Sequence, residues 1–394
     1  LTLTKLSPPS SLPRHPAQLH RGWHQHLWSE EVFYAHSEDY FQSILSAIDA
    51  AQNSIILATY IFAFDELGKQ FIQALAGARQ RGVQVRVLVD GVGSMENTDE
   101  LITAMTSHNI DVRIYHPLPW QPDNEQQALR HGSWTGNFIA RLLKINQRHH
   151  AKVFIIDQQR LWTGSQNICL NHLSQSRGGQ AWHDYGASVS GDAVVNVAEL
   201  FDDFWHYRKP KIGRGVFKHY WNNLNAQSRR QKNHLLKSKI GQSKQCVWIV
   251  NPYFSPSRAV LNALRKASQR GVDVRIIVPN KSDIGFFSLL TATYYEEMLK
   301  ASIRVFEYLP CILHAKLLIV DDFRLIGSTN LNHRSLFHDI EFDIVLESEE
   351  VQRQSREEFL HDQQQSREIC SQDLNLFGWR RWVGSLFWLM RYWL

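Results

Sequence analysis

The chain has 394 residues, 43% hydrophobic and 21% charged, which excludes a small stapled scaffold and a disordered chain and leaves apolar material for two cores. Its 43 Lys and Arg against 38 Asp and Glu give a net charge of +5, too mild for the total to announce a nucleic-acid partner. Four scattered cysteines, Cys169, Cys246, Cys311 and Cys370, form no CxxC pair and no zinc spacing with His. Neither a disulfide framework nor a structural zinc is indicated, and a reducing compartment is expected.

Residues 1–20 are rich in Pro and Ser without the apolar stretch of a signal peptide and read as a flexible leader. No window offers the ~20 apolar residues of a membrane-spanning helix. The best run, Ile55 to Phe64, is interrupted by Thr59 and Tyr60 and predicts a buried strand.

An internal repeat follows. Residues 67–90 place Leu67, Phe71, Leu75 and Ala78 at helical spacing, then Gly82, then the alternating Val83, Val85, Val87 and Val89. Residues 260–279 repeat the plan with Gly271 before Val272, Val274, Ile276 and Val278, and a strand-like run precedes each helix at 54–62 and 245–254. Strand, helix, RGV turn, strand is a parallel βαβ unit. The predicted fold is α/β, with two pseudo-symmetric lobes, 21–207 and 245–370, each a mixed, largely parallel sheet flanked by helices.

Residues 208–244 carry many Lys and Arg and no acid, and read as a basic linker able to face an anionic partner. Residues 371–394 end in FGWRRWVGSLFWLMRYWL, whose Trp379, Trp382, Met390 and Trp393 share a helical stripe beside Arg380, Arg381 and Arg391. That composition suits a membrane interface.

The chemistry lies in a duplicated constellation. HAKVFIIDQQRLWTGSQN starts at His150 and HAKLLIVDDFRLIGSTN at His314. Residues two apart on a strand share a face, so His150 with Lys152, and His314 with Lys316, project together. Ser165 with Asn167, and Ser328 with Asn330, do the same on the returning strand. An imidazole near neutral pKa with a cation and amide donors suits phosphoryl transfer, and two such patches suit a phosphodiester. Asp157 and Asp321 face away and are expected to tie down the hairpins. The second hairpin is one residue shorter than the first between Asp and Gly, and its facing survives only if the shortening lies in the turn, near Asp322 and Phe323. His149 faces the opposite side and is expected at the surface or behind the site, and His219 is read as an ordinary histidine.

The paired HxKx4D and GSxN elements resemble the phospholipase D superfamily over about residues 25–350, and within it the short bacterial cardiolipin synthases without transmembrane helices. ATYIFAFDELGKQ near residue 58, NPYFSPSR at 251 and VFEYLPCILHAK at 305 support the likeness. The resemblance implies two lobes meeting at one central site, no metal or other cofactor, and a phosphohistidine intermediate. His150 becomes the nucleophile candidate and His314 the acid and base. It also implies a downstream carboxylate for each histidine, matched here by Asp184 and by Glu341, with Asp339 as rival to Glu341.

The function expected from this likeness is transfer of a phosphatidyl group from phosphatidylglycerol or a similar donor onto another phospholipid. Phospholipid hydrolysis is the second enzymatic reading, a nuclease is less favoured because the aromatics gather at the tail, and an inactive membrane scaffold is disfavoured by the complete duplication of the motif. The expected partners are phosphatidylglycerol, phosphatidylethanolamine and an anionic membrane surface, with no nucleic acid. The expected location is peripheral, on the cytoplasmic face of the bacterial inner membrane.

Overall fold

A computed structural model describes residues 28–118, 120–121, 147–206 and 218–376. The expected leader and the Trp/Arg tail beyond 376 lie outside the described residues, as does 208–217.

Two mixed sheets form the frame. The first has the order β1-β7-β6-β5-β2-β3-β4, built from Glu30–Tyr34 (β1), Ser54–Thr59 (β2), Gln84–Asp90 (β3), Asp111–Tyr115 (β4), Val153–Ile156 (β5), Arg160–Gly164 (β6) and Gly186–Ser190 (β7). The second runs β15-β11-β10-β9-β12-β13-β14-β8. Its strands are Tyr220–Asn222 (β8), Cys246–Val250 (β9), Asp273–Pro279 (β10), Arg304–Tyr308 (β11), Leu317–Val320 (β12), Phe323–Gly327 (β13), Phe342–Leu346 (β14) and Ser366–Glu368 (β15).

The parallel part is smaller than the repeat implies. It is confined to β2-β3-β4 and β9-β10-β11, where helices cross over, and the hairpin after each adds antiparallel strands. The repeated helices, Glu66–Gln80 and Arg258–Gln269, are capped by Asp65 and Ser257, and each ends at a glycine in the left-handed region, Gly82 (φ 88°) and Gly271 (φ 87°).

Strand alternation divides the core into layers. Phe154 and Ile156 pack outward with the Glu66–Gln80 helix, while Val153 and Ile155 pack inward. In the second lobe Leu318 and Val320 face outward and Leu317 and Ile319 inward. The two inward faces belong to one apolar layer, completed by Val194, Val197 and Phe201 of one helix and Val351 and Phe359 of another. The lobes therefore share a core. Trp28 and Glu31 reinforce this from the N-terminal side, bonding to the second lobe at Val345 O and at the amides of Glu347 and Ser348.

The basic segment needs correction. Residues 218–244 are not a linker: β8 pairs with β14, and the helix Ala226–Gln242 buries Leu236 and Ile240 in the second lobe's core. Its charges mask a packed helix because the apolar positions are few and Lys232 is itself buried.

The hairpin shortening falls in the turn. Ile156 pairs with Arg160 around three residues, whereas Val320 pairs with Phe323 around Asp321 and Asp322. Among the described residues no helix is long and apolar enough to cross a membrane.

Candidate active site

His150, Lys152, His314 and Lys316 lie just before β5 and β12 rather than within them. What fixes their direction is a pair of single bridges between the lobes, His149 with Ile340 and His183 with Leu313. The amide of His150 donates to Ile340 O at 2.9 Å, and that of His314 to His183 O at 2.8 Å. The residue after each bridging carbonyl is a carboxylate, Glu341 or Asp184. The carboxylates are consequently crossed: Glu341 of the second lobe holds His150 Nδ1 at 3.0 Å, and Asp184 of the first lobe holds His314 Nδ1 at 2.7 Å.

These contacts leave Nε2 of each ring to the cleft. His150 is held well below its ordinary pKa by burial, Lys152 and Lys316. His314 is brought down to about 4 by burial and Lys316 against the pull of Asp184. Both rings are therefore neutral at pH 7, each keeping its proton on Nδ1 and donating it to the carboxylate. Lys316 and His314 bear electrostatically on His150, and Lys316 bears on Lys152, so the two motifs border one space.

The lysines repeat one another. Lys152 Nζ donates to His150 O at 2.7 Å and sits 5.4 Å over the Tyr60 ring. Lys316 Nζ donates to His314 O at 2.6 Å and sits 5.8 Å over the Tyr253 ring. One difference breaks the symmetry: Lys316 Nζ also lies 3.2 Å from His314 Nε2. Burial lowers Lys152 to about 7 and Lys316 to about 8.

The GSxN elements begin where their strands end, at Gly164 and Gly327. A Cβ at either glycine would collide with the adjacent strand, 2.7 Å from Tyr185 O and 2.3 Å from Phe342 O. Glycine admits that strand, and the serines bond to it. Ser165 is thereby spent on Tyr185, accepting its amide and donating to its carbonyl. Ser328 instead donates to Glu341, as does Ser335. Asn167 Oδ1 accepts from the Ile61 amide, and Asn330 Oδ1 has no partner among the described residues.

Asp157 and Asp321 lie away from the chemistry. Each sits in the left-handed region and accepts three amides at the start of the neighbouring strand, those of Gln52, Asn53 and Ser54, and of Lys244, Gln245 and Cys246. Asp339 does not touch His150; it accepts from the Arg148 amide and from Arg334.

His149 is not at the surface: it is fully buried among Tyr115, Phe201 and Phe204, because the lobe bridge covers its face of the chain. His219 is buried too, edge-on to Trp28.

The sequence reading missed His172, Trp182, Tyr60 and Tyr253. The tyrosines follow the repeated strands β2 and β9, a signal present in the alignment of the halves. Trp182 lies 5.6 Å from the His314 ring. His172 shares Asp184 with His314, donating from Nδ1 to Oδ2 at 2.6 Å. Among the described residues His172, Asp184 and His314 form a group with three metal-type donors close together. The two rings turn their Nδ1 protons toward Asp184, and the Asn167 amide points at His172 Nε2 at 3.1 Å, so the three are joined as a hydrogen-bonded cluster.

A family model described as "Cardiolipin synthase, PLD-like domain" matches residues 44–178 and 236–363. The chain belongs to this family. Cardiolipin synthase B of Escherichia coli K12 is 29% identical over 325 residues, 78% of this chain and 74% of the relative. Cardiolipin synthase B of Salmonella typhi is 30% identical over 327 residues with the same coverage. The crystal structure of phosphatidylserine synthase from Haemophilus influenzae shares the fold, with a TM-score of 0.67 at 14% identity over 92% of this chain and 95% of that one. This protein is a phospholipase D-superfamily enzyme of the cardiolipin synthase type, a phosphatidyltransferase whose substrates are phospholipids.

Proposed function

We propose that this enzyme moves a phosphatidyl group from one phosphatidylglycerol to a free hydroxyl of a second, giving cardiolipin and glycerol through a phosphohistidine on His150. The observation that carries the reading is the crossed His–carboxylate pair, which holds two neutral imidazoles and two ammoniums around one space. His150 Nε2 attacks phosphorus, and the P–O bond to the leaving glycerol breaks. Lys316 Nζ, 3.2 Å from His314 Nε2, protonates that nitrogen, and His314 passes the proton to the leaving oxygen. The incoming hydroxyl then gives its proton to His314 Nε2, which hands it back to Lys316, as the hydroxyl oxygen attacks phosphorus and the P–N bond breaks. Lys152, Lys316, Asn167 and Asn330 are assigned to the phosphoryl oxygens.

Phosphatidylethanolamine is a second candidate donor. The location follows from the substrate: an enzyme on an anionic lipid lies on the membrane surface, and we assign the cytoplasmic face of the inner membrane. Exposed Arg230, Lys237 and Lys244 and the Trp/Arg composition of the tail support that contact.

The test is incubation with phosphatidylglycerol vesicles, with and without phosphatidylethanolamine and without added metal, followed by separation of the products. Cardiolipin and glycerol are expected, and His150→Ala and His314→Ala are each expected to lose more than about 100-fold. Phosphatidic acid as the dominant product would replace transfer by hydrolysis, and undiminished turnover in either variant would overturn the assigned roles.

A further inference from the structure

His172 and Ser335 occupy matching places. Each lies five residues after the asparagine of its GSxN element and accepts that asparagine's amide, Asn167 to His172 Nε2 at 3.1 Å and Asn330 to Ser335 Oγ at 3.3 Å. Each then donates to the carboxylate that grips a motif histidine of the opposite lobe, His172 to Asp184 and Ser335 to Glu341. The connection is the same in both halves, but the group that makes it is an imidazole in one and a hydroxyl in the other.

We propose that His172 is a positioning residue for the acid–base step, fixing Asp184 and through it the His314 imidazole. The inference rests on the reading that His314 exchanges the proton of the leaving and incoming alcohols.

The Asn167 amide decides the tautomer. An N–H aimed at Nε2 requires a lone pair there, so the ring's proton is on Nδ1 and bonds to Asp184. Burial pushes the His172 pKa down, but Asp184 and Cys169 together draw it up to about 10. A second proton would nevertheless face the amide head-on, so we assign the neutral ring. Asp184 then receives an N–H on each oxygen, from His172 on Oδ2 and His314 on Oδ1, and neither oxygen can turn. The cluster is closed: His172 has no side-chain exposure, with Phe41, Trp182 and Cys169 around it.

Removing His172 leaves Asp184 with His314 as its one remaining imidazole donor. The carboxylate charge then concentrates on His314 and favours its protonated form. The other groups facing His314 are Lys316, Trp182, Tyr253 and, across the cleft, His150. None of these is itself substituted, and Trp182 is the one that also packs on His172.

The experiment compares His172→Ala and His172→Asn with the parent chain on phosphatidylglycerol vesicles, measuring kcat, KM and the pH profile of kcat. Asparagine is chosen because its amide nitrogen sits near where Nδ1 sits. His172→Ala should lower kcat about 10- to 100-fold with KM nearly unchanged, and move the acid limb of kcat, where His314 must be neutral to take the incoming hydroxyl's proton, upward by about half a pH unit or more. His172→Asn should recover most of the rate and the limb. Parental kcat and profile in His172→Ala would overturn the inference, as would equal impairment of both variants with an unmoved limb. If His172→Ala does not fold, His172→Asn decides alone: near-parental values support the inference, and loss to the level of Asp184→Ala refutes it. His314→Ala, run in parallel, separates the two readings, because retained activity there defeats the catalytic assignment itself.

Discussion

Lys152 and Lys316 are the site's titrating cations, lowered to about 7 and 8 by burial, against the pull of Glu341 and Asp184. A phosphodiester held between them needs both charged. As pH rises through 7 to 9 the free enzyme loses those charges, so kcat/KM should fall over that window. A bound phosphate anion favours the ammonium form, so kcat should hold to higher pH. Parallel decline of kcat and kcat/KM would mean that the lysines do not meet the phosphate. At this scale the sequence was most legible where residue type repeats, as in the two HxK and GSxN elements. His172 escaped notice because its counterpart is a serine, and only the bonds of the two residues reveal the equivalence. The crossing of Asp184 and Glu341 could not be read by counting along the chain, since each carboxylate reaches its imidazole through a backbone bridge from the other lobe.

Among the elements, the strands and helices of the βαβ repeat were legible because alternation and helical spacing are strong where one face is buried. The helix Ala226–Gln242 was not, because its inner face includes a charge. Lys232, 4% exposed, pairs with Asp343 at 2.6 Å, and Asp343 also accepts from Thr329 beside the second GSxN asparagine. Lys232→Met should therefore strand a buried carboxylate and cost about 3–5 kcal/mol, measurable as a lower urea midpoint. A cost below about 1 kcal/mol, the range of exposed pairs, would indicate a segment that does not belong to the second lobe's core. Replacing both partners by apolar residues should recover much of the loss.

For the whole molecule, the decisive property is that the apolar layer between the sheets belongs to neither lobe alone. Sequence similarity between the halves announces two lobes but says nothing of how firmly they join, because the residues that join them, such as Ile155 and Leu317, read simply as strand interior. With one layer holding β5 and β12 together and each lobe supplying the other's carboxylate, the lobes should unfold as one cooperative unit. Leu317→Ala, at a position 2% exposed, should cost about 2–5 kcal/mol. Amide exchange should then accelerate by the same factor in β5 of the first lobe as in β12 of the second, because global opening is the shared route. Acceleration confined to β12 would mean that the first lobe opens independently, and the two imidazoles would then be held together by the bridges at His149 and His183 rather than by a common core.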